Sequence, residues 1–111
     1  MEYDLVNELF SLTDELNASI KRLAQNGTKL AEAEKEYKMR LREEVLKLRA
    51  EKMAVTLIDL IIYGVPEVAE LRLKRDIAKT IYETNQEHIN CTKLKMRILE
   101  GQISREWSAK E

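Results

Sequence analysis

The sequence predicts an all-α protein: a long antiparallel helical hairpin with a short connecting helix, coiled-coil-like, dimerising into a helical bundle. Three observations predict it. Hydrophobic residues make up 44% of the 111, mostly Leu, Ile, Ala and Val, with one Pro and three Gly to interrupt helices. Apolar residues recur at three-and-four spacing along two long stretches. Between those stretches lies VTLIDLIIYGVP, residues 55–66, where charge nearly vanishes from a chain that is 35% charged.

The first long helix is expected over residues 3–52. Its apolar stripe runs through Leu5, Leu9, Leu12, Leu16, Ile20 and Leu23, then Leu30, Tyr37, Leu41, Val45 and Leu48. Asn26-Gly27 would ordinarily mark a turn or a helix end, and a break there is the alternative. Yet Leu23, Leu30 and Tyr37 keep a seven-residue phase across it, which a loop has no reason to preserve.

The joint is expected to be a short helix over residues 57–63. Thr56 and Asp59 have the spacing of an N-cap and its carboxylate partner, and Gly64 stands where a C-cap belongs. In this reading Leu57, Leu60 and Ile61 close the hairpin, which leaves Ile58, Ile62 and Tyr63 over. The last helix is expected over residues 66–107, opened by Pro66 at its first position with Glu67 and Glu70 against the positive end of its dipole. Lys93, Lys95, Arg97 and Arg105 suit its other end.

The last helix carries two stripes. The main one passes through Leu71, Ala78, Tyr82, Ile89, Met96, Leu99 and Ile103; beside it run Leu73, Ile77, Ile81, His88, Cys91, Leu94 and Ile98. One partner helix cannot cover so broad a face. A single domain of this length buries only about 65% of its unfolded surface, so help from a second chain is expected. The expected oligomer interface is Ile58, Ile62, Tyr63, Ile77, Ile81, Asn85, Thr92 and Ile98, with Asn85 and Thr92 as polar positions that fix register. Gly101, inside the helix, suggests a close helix approach, and Trp107 a hydrophobic plug.

Charge is balanced, 19 basic against 20 acidic side chains, which argues against a general polyanion binder. Its distribution is uneven. Residues 1–20 hold five acids (Glu2, Asp4, Glu8, Asp14, Glu15) and no base, whereas residues 21–53 hold ten bases against six acids. That acidic start could imitate nucleic acid, but pairing with Arg97 and Arg105 of the last helix is the simpler expectation. Arg40, Arg42, Lys47, Arg49, Arg72, Lys74 and Arg75 gather near the joint and form a candidate patch for nucleic acid or a partner. Interleaved acids, among them Glu43, Glu44 and Asp76, offer these bases ordinary helical ion pairs, and no aromatic series provides stacking platforms.

The single cysteine, Cys91, permits no intrachain disulfide, and the N-terminus has no signal-peptide pattern. With no run long enough to span a bilayer, the expected location is the cytoplasm. His88 and Cys91 share a helical face, but only a symmetric dimer could complete four zinc ligands, so no metal and no cofactor are expected. No phosphate-cradling glycine loop and no nucleophile with a base and an orienting acid occur, so no catalytic residue and no enzymatic activity are expected.

The stretches AEAEKEYKMRLREEVLKLRAEKMAVTLIDLIIYG, EVAELRLKRDIAKTIYE and INCTKLKMRILEGQISREW together span residues 31–107. This pattern resembles a family of small uncharacterised helical proteins from temperate phages and prophages of Gram-positive bacteria. The resemblance implies a phage accessory protein that acts by binding another protein, as an adaptor in phage DNA metabolism or an inhibitor of a host system such as antiviral defence. It covers the first 30 residues less well. Two alternatives remain: nucleic-acid binding through the basic hairpin end, and a sponge for a small nucleotide signal held near Asn85 and Thr92.

Overall fold

The computed structural model describes residues 2–110, with side chains for residues 4–109; the side chain of Glu2 lies outside the described residues. The elements are α1 (Glu2–Ala50), α2 (Val55–Ile61), a 3-10 turn (Ile62–Gly64) and α3 (Pro66–Lys110). The fold is all-α, an antiparallel hairpin of two long helices with a short helical joint.

α1 passes through Asn26-Gly27 without interruption. The inward row of α1 alternates three- and four-residue steps: Leu9, Leu12, Leu16, Ser19, Leu23, Asn26, Leu30, Ala33, Tyr37, Arg40, Glu44. α3 answers with the same alternation: Val68, Leu71, Arg75, Ala78, Tyr82, Asn85, Ile89, Thr92, Met96, Leu99, Ile103. All of these are buried or half-buried, as a coiled-coil seam requires. The seam corrects the expected stripe at two places: Ser19 is fully buried where Ile20 is exposed, and past Tyr37 the row passes through Arg40 and buried Glu44, with Leu41, Val45 and Leu48 half-buried beside it. A seven-residue repeat counted back from Asn26 lands on Ser19, one position before the apolar residue.

Packing divides the chain into two units. The joint unit comprises Asn26–Tyr82; the end unit pairs α1 up to Gln25 with α3 from Glu83 onward. In the joint unit, α1 ends in a left-handed residue that is not a glycine. Lys52 has φ 63°, its N–H donates to the carbonyl of Arg49 at 2.9 Å, and the N–H of Met53 donates to Leu48 at 3.1 Å. These two bonds form a Schellman closure, with half-buried Met53 and Leu48 in the positions of its usual apolar contact.

The joint differs from expectation in its caps and in its faces. α2 begins before Thr56: Ala54 is the N-cap, its carbonyl accepts from the N–H groups of Leu57 and Ile58, and no side chain caps the helix. Gly64 ends the 3-10 turn with φ outside the left-handed region, so it is no C-cap of the glycine type. Moving the helix start two residues earlier rotates the expected faces. Ile58 and Ile62 are buried in the core, while Leu57, Leu60, Ile61 and Tyr63 are exposed. Ile58 and Ile62 therefore close the hairpin and are not interface residues. α3 opens as expected on Pro66 with Glu67 in its first turn, and Val68 at its third position has no exposed surface.

Candidate functional site

Once α1 and α3 have packed their inward rows together, the second stripe of α3 is left outside. Leu73, Ile77, Ile81, Leu94 and Ile98 are each 50–56% exposed, and Cys91, Thr80 and Thr84 on the same face are exposed too. Burial here follows from the geometry of two helices, since a seam of alternating three and four steps occupies about a third of each circumference. An apolar row beyond that arc has no intrachain neighbour to cover it. Scattered exposed apolar residues are ordinary, whereas these recur at helical spacing along one helix.

In the joint unit this row borders a groove of about 340 Å³. Its floor is Ala33, Ile77, Ala78 and Ile81, and Lys29, Glu32, Glu36 and Lys74 stand at its edge. Ala33 on α1 and Ala78 on α3 create the recess, because both inward positions carry a single methyl group. The rim is held by an ion pair between Lys74 Nζ and Glu36 Oε2 at 3.1 Å.

The seam of the end unit explains the polar positions. Asn85 Nδ2 donates to the carbonyl and to Oγ of Ser19 at 3.1 and 3.2 Å, and Arg22 donates to the same Oγ at 3.3 Å. Thr92 is buried and donates its hydroxyl proton to the carbonyl of His88 at 2.8 Å. Asn85 and Thr92 therefore face α1 of their own chain, which corrects their place in the expected oligomer interface. His88 Nε2 lies 3.1 Å from Glu15 Oε1, an ion pair when the imidazole is protonated, while Cys91 is exposed. Ser19 went unseen in the sequence, where the available signal was the repeat that puts it and Asn26 seven apart, and Glu15 was read only as one acid of the start.

The basic patch is largely occupied by its own neighbours. Arg40 lies 3.0 Å from Glu44 and 3.6 Å from Glu43, and Lys47 lies 3.4 Å from Glu44. Arg75 bonds Asp76 at 2.8 Å, which pushes its pKa further above the usual arginine value, and its guanidinium stacks 4.7 Å over the ring of Tyr37. Arg72 stacks 4.9 Å over Tyr63, while Arg42 and Arg49 stand exposed on α1. Glu44 is buried in the seam with Arg40, whose Nε is buried without a hydrogen-bond partner. Of these bases, Lys74 and Arg75 reach across to α1 and Arg72 reaches the joint, while the pairs of Arg40 and Lys47 stay within α1.

Three further expectations change. Arg97 and Arg105 are exposed, and among the described residues it is His88 of the last helix that lies beside an acid of the start, Glu15. Among the described residues a Cβ on Gly101 would meet the guanidinium of Arg105 on its own helix, at 3.5 Å. Trp107 is 59% exposed and is therefore no buried plug. The close approach falls instead at Gly27, where a Cβ would lie 3.4 Å from the ring of Tyr82.

Among the described residues no helix is long and apolar enough to cross a membrane, and no group of three or more His, Cys, Asp or Glu could hold a metal ion. No protein-family model, curated protein or solved structure matches this chain.

Proposed function

We propose that this protein acts by binding other proteins and not by catalysis, and that the outer face of α3 is its contact surface. The observation that carries this reading is the half-exposed row of Leu73, Ile77, Ile81, Leu94 and Ile98. Five large aliphatic side chains on one face of one helix can each contribute about 1 kcal/mol on covering their exposed halves. A protein that needed only its own hairpin would gain nothing from them. The proposed partners are a second copy of the chain and, through the surface a homodimer leaves free, a phage or host protein. The resemblance of residues 31–107 supports the setting: an accessory protein of a temperate phage, working in the bacterial cytoplasm as an adaptor in phage DNA metabolism or an inhibitor of antiviral defence.

The test pairs a surface variant with a biological readout. Ile77→Ser together with Ile98→Ser is expected to leave the helical circular dichroism intact, lower the mass measured by light scattering, and reproduce the phage-growth or defence phenotype of a gene deletion. A variant as associated and as active as the wild type would remove the face from the reading. A deletion without effect on phage growth or on defence sensitivity would remove the phage role.

A further inference from the structure

Asn26-Gly27 is the one place in the chain where an asparagine precedes a glycine; Asn7, Asn17, Asn85 and Asn90 are followed by Glu8, Ala18, Gln86 and Cys91. The pairing matters chemically. Glycine leaves its own backbone nitrogen unhindered by a side chain, and its conformational freedom lets that nitrogen swing against the carboxamide carbon of the residue before it. We infer that Asn26 is a site of spontaneous deamidation that the folded hairpin holds closed, and that it opens only where α1 loses its helical geometry. The reaction needs water and no other reactant. The backbone nitrogen of Gly27 attacks Cγ of Asn26, its proton passes to the departing amide nitrogen, and ammonia leaves a cyclic imide behind. Water then opens the imide at one of its carbonyls. Opening at Cγ gives aspartate at position 26, and opening at the backbone carbonyl gives isoaspartate, whose chain continues through Cβ and Cγ and so gains one main-chain carbon.

Three features of the folded chain oppose the first step. α1 runs unbroken through Asn26, so ψ there stays near the helical value of about −42°, away from the approach that closing the ring requires. The N–H of Gly27 is already committed to a hydrogen bond inside the helix. Both residues are half-buried, and the ring of Tyr82 lies against Gly27, 3.4 Å from where a Cβ would stand. Glycine itself works the other way, because it costs the helix about 1 kcal/mol relative to alanine and makes local opening that much easier. The fold also separates the two products. Aspartate keeps the main chain and finds Lys29 one turn on. Isoaspartate cannot keep α1 in phase, because its extra main-chain carbon shifts the register on which Leu30, Ala33 and Tyr37 follow position 26 in the seam.

The experiment holds the full chain at mildly alkaline pH, folded in buffer or unfolded in guanidinium, and maps digests by mass spectrometry for replacement of an amide NH2 by OH. In the unfolded chain the change is expected at Asn26 ahead of the other four asparagines. In the folded chain it should accumulate at Asn26 at least about tenfold more slowly, since reaction then waits on local opening. The unfolded Gly27→Ala variant should lose the head start of Asn26, because the added Cβ hinders the attacking nitrogen. Once guanidinium is removed, the chains carrying aspartate should regain more helical circular dichroism than those carrying isoaspartate, the two being separated by chromatography. Equal rates at Asn26 in the folded and unfolded chains overturn the protection. An unfolded chain in which Asn26 reacts no faster than the other asparagines, or no slower in Gly27→Ala, overturns the site. Isoaspartyl chains that regain as much helix as aspartyl ones overturn the loss of register.

Discussion

Lys52 holds a left-handed backbone that suits glycine, at the residue where α1 must stop and turn. A Cβ in that region meets the neighbouring carbonyl, at a cost of about 1 kcal/mol or more. Lys52→Gly is therefore expected to stabilise the hairpin, by up to about 1 kcal/mol after the added freedom of the unfolded chain is subtracted. A urea unfolding midpoint that falls would contradict the left-handed assignment. The two helical glycines separate along the same logic. At Gly101 the added methyl meets one flexible guanidinium end, so Gly101→Ala should recover nearly the full helix-propensity difference of about 1 kcal/mol. At Gly27 the same gain is set against contact with the Tyr82 ring, and Gly27→Ala should stabilise less. Equal gains at both sites would mean that the ring moves freely.

At the scale of elements, what decides the structure is phase. A seven-residue repeat that survived Asn26-Gly27 was legible as one continuous helix, because a helix keeps angular register and a loop does not. The same repeat implied Ser19 in the seam, but apolar Ile20 beside it drew the stripe one position away. A buried serine becomes favourable only once Asn85 arrives from the other helix, and no local pattern announces a partner 66 residues distant. Asn85→Ala should accordingly cost about 1–3 kcal/mol by leaving the oxygens of Ser19 short of a donor. Ser19→Ala with Asn85→Leu should recover much of that loss, and a double variant no better than the single would show that these bonds are not the reason. The joint failed to read correctly for a related cause. Its run of apolar residues has no polar face to orient it, so a start two residues early exchanges the inside set for the outside set. Ile58→Ala is expected to destabilise by about 2–5 kcal/mol, against less than about 0.5 for Leu60→Ala, whose residue is 81% exposed. Similar losses at the two positions would restore the original assignment of faces.

For the molecule as a whole, the question is how much the exposed aliphatic side chains of α3 can yield when a partner covers them. Five of them, about half exposed, offer on the order of 5 kcal/mol on burial, and association itself costs about 4–15 kcal/mol in lost freedom. The margin is narrow, so contact through these side chains alone should dissociate measurably on dilution, and a single charge among them should decide the outcome. Ile77→Lys leaves an unpaired charge among aliphatic groups once the contact forms and should weaken association more than tenfold. Sedimentation equilibrium of the wild type and of Ile77→Lys checks this: a variant that associates as well as the wild type removes Ile77 from the contact, and a wild type that stays monomeric moves the same comparison to a partner of another kind.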